Sequence, residues 1–242
     1  EHKARMASTC IDDSVLNKMQ GLIERAIELG PGAELEIRLG LLYDRKFTPG
    51  VTRAHMDNII QALTSNQTVK CLQSNNWAET EDYHFQHNRG DYRTRVSFNL
   101  ERMRIENETI QKQKIDSFVI RSHNLDARVS LSFEQPIPDP PHAVNTSFVR
   151  IKQVKQYETA SPFRIDCGIV WSGTQRSEAE LKQSSEDGRF ELEIELDLNC
   201  SDERKAKYPL DSKKGKRRLA KSMLLKVADL MLSPKVQMEL VG

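Results

Sequence analysis

Phe190-Glu-Leu-Glu-Ile-Glu-Leu-Asp-Leu198 alternates acidic and apolar residues without a break. Side chains of an extended strand point to opposite faces with period two. Glu191, Glu193, Glu195 and Asp197 therefore share one face, and Leu192, Ile194, Leu196 and Leu198 the other. A helix would scatter both sets around its circumference. Near the other end of the chain, Glu34-Leu-Glu-Ile-Arg-Leu-Gly40 repeats the pattern, with Glu34, Glu36 and Arg38 on one face. Glutamates gathered from two such strands repel one another and take up protons unless cations hold them ionised. The partner suited to a dense all-oxygen cluster is a hard divalent ion, Mg²⁺ or Mn²⁺.

A chain of 242 residues can bury one full core, and no internal boundary is evident, so a single domain over 1–242 is expected. Hydrophobic residues at 38% and charged residues at 29% exclude a disordered or a membrane chain. No apolar run approaches the roughly 20 residues of a membrane span. Glu1 to Ala7 is polar and lacks the apolar segment of a secretory signal, so an intracellular, non-secreted protein is expected. Cys10, Cys71, Cys167 and Cys200 stand at no metal-ligand or redox spacing and read as free thiols. His84 and His87 have no nearby cysteine pair and make no zinc motif. A formal charge of +1 excludes a protein that coats nucleic acid, so any bound anion is met by a local cluster.

Ser14 to Leu29 carries Val15, Met19, Leu22, Ile23, Ala26 and Ile27 at helical spacing and stops at Gly30-Pro-Gly32. A strand over about 33–43 and a short helix over 54–63 follow. From Trp77 to Leu198 the pattern reads almost entirely as strand, punctuated at Gly90-Asp91, at Asn124 and Asp126, at Pro136-Ile-Pro-Asp-Pro-Pro141, and at Ser172-Gly173. A closing helix over about 216–232 ends at Ser233-Pro234.

Each strand of that region keeps a polar face: Arg93, Arg95 and Ser97; Lys112, Lys114 and Asp116; Arg128, Ser130, Ser132 and Glu134; Arg150 and Lys152; Arg164 and Asp166. Consecutive strands of this kind form either an open sheet with charge to solvent or a closed barrel. Helices at both ends of the chain need an apolar surface to cover, which the outside of a barrel offers, leaving the charges to line its interior. The expected fold is mainly β: a closed antiparallel eight-stranded barrel, or tunnel, with helices packed on it from both ends of the chain. Its wet, charged interior suits a charged ligand.

These residues resemble the metal-dependent RNA 5′-triphosphatases of fungal, protozoal and DNA-virus mRNA capping, the triphosphate tunnel metalloenzymes. The hallmark of that family is a pair of glutamate-rich strands, matched by Glu34-x-Glu36-x-Arg38 and Glu191-x-Glu193-x-Glu195. Tyr92-Arg-Thr-Arg-Val-Ser97, Gln113-Lys-Ile-Asp116, Asp126 to Glu134, Val149-Arg-Ile-Lys152 and Phe163-Arg-Ile-Asp166 are similar to the family's intervening strands, in the same order. The resemblance implies a metal held by Glu34, Glu36 and Glu195. It implies phosphate oxygens held by Arg95, Arg150 and Lys152, with Lys112, Lys114, Arg93 and Arg38 as further contacts. Glu134 would order the attacking water, backed by Glu193, Asp166 and Glu191. Two positions depart from the pattern. Val154 stands where a second arginine is usual, with Lys155 facing the other way unless a bulge turns it in, and Gly168 stands where threonine is frequent.

The function expected is removal of the γ-phosphate from the 5′-triphosphate end of nascent RNA, with a separate guanylyltransferase for the next capping step. The alternatives are a tripolyphosphatase or thiamine triphosphatase of the same tunnel fold, and a non-enzymatic barrel that binds a polyanion. Lys213-Lys-Gly-Lys-Arg-Arg218 reads as a solvated lead-in to the closing helix, or as a nuclear import signal or RNA-facing patch. Capping is nuclear work, so a nuclear location is expected, otherwise a cytoplasmic one.

Overall fold

Leu35, Ile37 and Leu39 need an apolar neighbour while Glu34, Glu36 and Arg38 need a polar one, and the computed structural model satisfies both by rolling the sheet closed. It describes residues 12–72, 77–87, 90–99, 104–137 and 146–231. Cys10, Glu1 to Ala7, Pro138 to Pro141 and Ser233-Pro234 lie outside the described residues, as do the side chains of His87 and Ser97.

In chain order the elements are α1 (Asp13–Leu29), β1 (Ala33–Tyr43), β2 (Lys46–Pro49), α2 (Arg53–Ser65), β3 (Lys70–Cys71), β4 (Ala78–His87), β5 (Gly90–Asn99), β6 (Arg104–Ile120), β7 (Asp126–Pro136), β8 (Phe148–Glu158), β9 (Phe163–Gly173), α3 (Arg176–Ser184), β10 (Arg189–Leu196), α4 (Asp202–Ala206) and α5 (Lys213–Met231). The sheet runs β10-β9-β8-β4-β5-β6-β7-β1, and β10 pairs back onto β1, closing an antiparallel eight-stranded barrel. Beyond the stretch that meets β10, β1 continues into a hairpin with β2. Asp44 and Arg45 turn that hairpin with positive φ of 44° and 65°, the conformation of a tight two-residue connection.

Period two decides which face is which. Leu35, Ile37, Val129, Leu131, Ile165 and Ile194 point outward into one core with Met19 and Ile23 of α1, Met56 of α2 and Leu219 and Met223 of α5. Asp12 caps α1 by accepting a hydrogen bond from the Val15 amide at 2.8 Å, and Gly30 and Gly32, both at positive φ, turn the chain into β1. Helices α1 and α5, from opposite ends of the described chain, lie together. Arg217 of α5 donates to Asp13 at 2.8 Å and to Asn17 at 2.7 Å.

Two local expectations change and one holds. Arg176 to Ser184 is a helix inside the region read as strand, supported by the i,i+4 pairs Arg176–Glu180 and Glu178–Lys182 and packed through Ala179 on Ile151 and Trp171. A β-bulge between Lys114 and Asp116 shifts the register, so Lys114 stands opposite Ser132 but Asp116 opposite Leu131. Asp116 therefore leaves the face that Lys112 and Lys114 share. In β8 the pairing with β9 is continuous, Val154 faces the lumen, and Lys155 lies outside over the Trp77 ring at 5.1 Å.

Gly40 ends the lumen face of β1 opposite Pro49, and a Cβ there would stand 2.2 Å from the Thr48 carbonyl oxygen and 2.9 Å from Cζ of Phe47. Gly40→Ala is expected to destabilise the protein by about 1–3 kcal/mol through overpacking. The check is the urea unfolding midpoint. An unchanged midpoint would mean that the hairpin gives way without cost.

Candidate active site

The inward parity of the strands lines the barrel with charge in two compartments. One, of about 330 Å³, is bordered by Glu34, Glu134, Asp166, Glu191, Glu193 and Glu195, with Arg95 and Arg164 among them. The other, of about 280 Å³, is bordered by Lys112, Lys114, Arg128, Arg150 and His84, with Glu36 the one carboxylate among the described residues that line it. Arg38, Arg93 and Lys152 border both and form the belt between them. The acid-rich compartment lies toward the end of the barrel where β1 and β9 begin. The base-rich one lies toward the end where β1 stops and β8 begins.

Register explains the acid cluster. Glu36 stands directly opposite Glu195 across β1 and β10, and Arg38 opposite Glu193, which in turn faces Asp166 on β9. Charges buried this way need close partners. Arg38 reaches Glu36 at 2.8 Å and Glu193 at 3.1 Å. Lys112 pairs with Glu34, which also accepts from Ser132 Oγ at 3.1 Å, and Lys112 reaches Glu134 at 3.0 Å. Arg93 stands 3.3 Å from Glu134, and Arg164 holds Glu195 at 2.5 Å and Asp166 at 3.0 Å. Glu191 is pinned from both sides by Arg150 at 2.7 Å and Arg189 at 2.5 Å.

The compensation is uneven, and the proton affinities show where. Burial raises Glu195, Arg164 opposes it, and the carboxylates of Glu34, Asp166 and Glu193 add to it, so that Glu195 is pushed up to about 8. Burial also outweighs Arg38 at Glu36 and Arg164 at Asp166, raising both. At Glu34 burial is overcome by Lys112, and at Glu191 by Arg150 and Arg189; each is held down to about 2. Burial and the neighbouring Arg150 lower His84 to about 3, leaving its ring neutral at physiological pH.

Every site residue read from the sequence lies on the lumen wall, but their pairing separates them. Arg95 and Lys152 share one carboxylate, Asp82 of β4, which is fully buried. Arg95 grips it through Nε at 2.7 Å and Nη2 at 3.1 Å, and Lys152 at 2.9 Å. Arg150 is tied instead to Glu191 on the far side of the belt. Lys112 and Lys114 both point in. Val154 and Gly168 face each other in the acid-rich compartment, so neither a cation nor a hydroxyl stands there. Asp82, His84, Arg128 and Arg164 belong to the site although the motifs did not single them out. For Asp82 and His84 no pattern could, because β4 is polar on both faces: Glu81 of the outer face takes Arg176 of α3 at 2.8 Å.

Among the described residues, no group of three His, Cys, Asp or Glu side chains converges as a metal site in the positions they now hold. Each of Glu34, Glu36 and Glu195 is held by its own cation. Their chemistry nonetheless fits a hard divalent ion: three oxygen donors on adjacent strands, two directly opposite each other, with Glu195 short of positive charge. The base-rich compartment has the reverse imbalance. The buried Nε atoms of Arg93, Arg128 and Arg150 and Nε2 of His84 make no hydrogen bond among the described residues, and all four residues line it. Buried polar atoms left without partners mark a place for a polar ligand, here an anion with several oxygens.

A family model described as mRNA capping enzyme, beta chain, matches residues 44–222. Among solved structures, the S. pombe Pct1 RNA triphosphatase superposes with a TM-score of 0.66 at 17% identity, over 91% of this chain and 93% of that one. The same protein in complex with the Spt5 CTD gives the same TM-score and identity, covering 91% and 94%. The mimivirus capping enzyme triphosphatase superposes with a TM-score of 0.52 at 14% identity, over 86% and 99%. At these identities the likeness is one of fold. No curated protein matches by sequence.

Burial works to raise Asp82, but Lys152 and Arg95 outweigh it and hold its carboxyl far below the usual range. A lowered carboxylate contributes stability above its unfolded value, and that stability is lost only as pH falls through the folded one. Asp82→Asn would leave Lys152, nearly buried, and Arg95, a third exposed, on one neutral amide. The expected cost is about 3–5 kcal/mol at neutral pH, read by chemical denaturation, with the gap between variant and wild type closing in strong acid. A loss below about 1 kcal/mol would mean that Arg95 and Lys152 find other partners.

Proposed function

Because the chain belongs to the mRNA capping enzyme beta-chain family, the RNA triphosphatases of cap formation, we propose that its tunnel hydrolyses the γ-phosphate of 5′-triphosphate RNA, with Glu34, Glu36 and Glu195 holding Mg²⁺ or Mn²⁺. The family is one of metal-dependent triphosphatases. One observation carries the reading for this chain: a compartment in which carboxylates outnumber cations and Glu195 is under-compensated adjoins a cationic compartment with buried donors unpartnered among the described residues, through a shared belt of Arg38, Arg93 and Lys152.

Phosphoryl transfer to water asks the protein to position groups and to offset charge on the equatorial oxygens. A divalent ion bound by the three glutamates would polarise the γ-phosphate and offset its negative charge. Arg95, Arg150 and Lys152 donate charge-assisted hydrogen bonds to the remaining oxygens. Their carboxylate partners Asp82 and Glu191 keep those cations in place, as positioning residues behind the phosphate contacts. Glu134, turned into the lumen by Lys112 and Arg93, orients the attacking water. Glu193 and Asp166 fix Arg38 and Arg164, the cations nearest the metal-binding acids. The water oxygen bonds to the γ-phosphorus as the bond from that phosphorus to the β–γ bridging oxygen breaks, leaving a 5′-diphosphate end, inorganic phosphate and a released proton.

The proposal takes 1–242 as one catalytic domain acting in the nucleus, with a separate guanylyltransferase using the diphosphate end. None of the described helices is long and apolar enough to cross a membrane.

The direct test is γ-labelled triphosphate RNA incubated with EDTA, Mg²⁺ or Mn²⁺. Phosphate release should need a divalent ion and leave a 5′-diphosphate; release that persists in EDTA overturns the reading. Glu195→Gln removes one ionisable oxygen ligand from the proposed metal-binding acids at constant size. It should stay folded by circular dichroism, lose at least about a hundredfold in activity, and lose the rise in melting temperature that Mn²⁺ gives the wild type. Arg150→Ala and Lys152→Ala should each lower turnover about tenfold to a thousandfold. Near-normal turnover in both would place the phosphate elsewhere.

A further inference from the structure

The base-rich compartment opens where β1 stops and β8 begins, and two aromatic rings stand on that rim. Phe148 pairs with His84 across β8 and β4, so both side chains lie on the lumen face. Their rings stack with centroids 4.2 Å apart and planes 6° from parallel, while Phe148 remains 38% exposed. His84, a residue of the compartment wall, thus backs one face of the Phe148 ring. On the other side of the opening, Phe47 of the β1–β2 hairpin lies over the lumen face of Gly40, with the Arg128 guanidinium 4.9 Å from its ring centroid. Arg128 lines the compartment and makes no ion pair among the described residues. Exposed Arg45 and Lys46 belong to the same hairpin, and exposed Arg121 donates to its Leu42 carbonyl at 3.2 Å while standing 3.8 Å from Asp126.

The two mouths therefore differ in kind. The far one mixes Glu34, Glu134, Asp166 and Glu195 with arginines in near balance, whereas in this one cations outnumber carboxylates among the described residues, so a phosphodiester backbone is drawn to this one. Aromatic rings beside cations are the combination on which single-stranded nucleic acid is held without sequence preference, since every base has a face to stack. We propose that single-stranded RNA enters the tunnel through the base-rich mouth, with its first nucleotides seated on Phe148 and Phe47. A 5′ end entering this way leads with its γ-phosphate, which passes the belt toward the carboxylates while the sugar and bases stay on the rim. The proposal rests on the RNA triphosphatase reading and adds to it the direction of entry and the means of telling an RNA end from free tripolyphosphate, which carries the phosphates but no base.

Phe148 is exposed enough to change without disturbing the core, so it is the variant of choice. Hydrolysis of a 5′-triphosphate oligoribonucleotide and of inorganic tripolyphosphate would be measured with the same metal for wild type, Phe148→Ala and Phe148→Trp. In Phe148→Ala the KM for RNA should rise about tenfold, as for the loss of one stacked base. kcat should change little, the preference for RNA over tripolyphosphate should fall by a similar factor, and Phe148→Trp should restore both. An unchanged KM for RNA, or equal losses on the two substrates, overturns the seat. If the wild type releases phosphate from neither, the reaction reading has failed, and fluorescence anisotropy with labelled single-stranded RNA decides the seat separately. Binding about tenfold weaker in Phe148→Ala supports it, and unchanged binding overturns it.

Discussion

A charge turned into a closed barrel has no bulk water to retreat to, and the rest of this structure follows from how its inward charges are matched. Desolvating them is costly, so each must stand against an opposite charge or a ligand. Asp82 between Arg95 and Lys152, and Glu191 between Arg150 and Arg189, are matched twice over and act as the fixed points of the wall. Glu195 has Arg164 but three carboxylate neighbours, and Arg128 has an aromatic ring but no ion pair among the described residues. The imbalance is negative on one side of the belt and positive on the other. A divalent cation and a phosphate chain would each complete the side that lacks it.

The barrel can hold such groups in place because its apolar half lies outside. Outward residues of β1, β7, β9 and β10 share a core with α1, α2 and α5, so rotation of a strand that would release a lumen charge would also expose its leucines and isoleucines. Strand register thereby becomes site geometry: pairing Glu36 with Glu195 and Arg38 with Glu193 sets both the barrel closure and the grouping of the inward glutamates. A site built on paired strands is held more tightly than one on loops. The hairpin that extends β1 past its pairing with β10 places Phe47 at the rim, and the bare Cα of Gly40 lets it lie there.

The sequence by itself determined the strands that carry acids and bases and which of their residues share a face, because an unbroken acid and apolar alternation is compatible with only one periodicity; helices at both ends of the chain pointed to a closed sheet over an open one. Glu34 to Arg38 and Glu191 to Glu195 were legible for that reason, and so was the helical spacing of α1. Only the tertiary structure decided who meets whom. Asp82 and His84 lie on a strand polar on both faces, where period two names no inside. The bulge at Lys114–Asp116 turns Asp116 out with no local residue to announce it, and the short helix at Arg176 to Ser184 interrupts a run otherwise made of strands. The pairing of Arg164 with Glu195, and the division of the lumen into an acidic and a basic compartment, depend on strands distant in sequence becoming neighbours. Periodicity reports the environment of one strand's two faces, whereas electrostatic balance is a property of the closed ring, and it exists only once β10 has returned to β1.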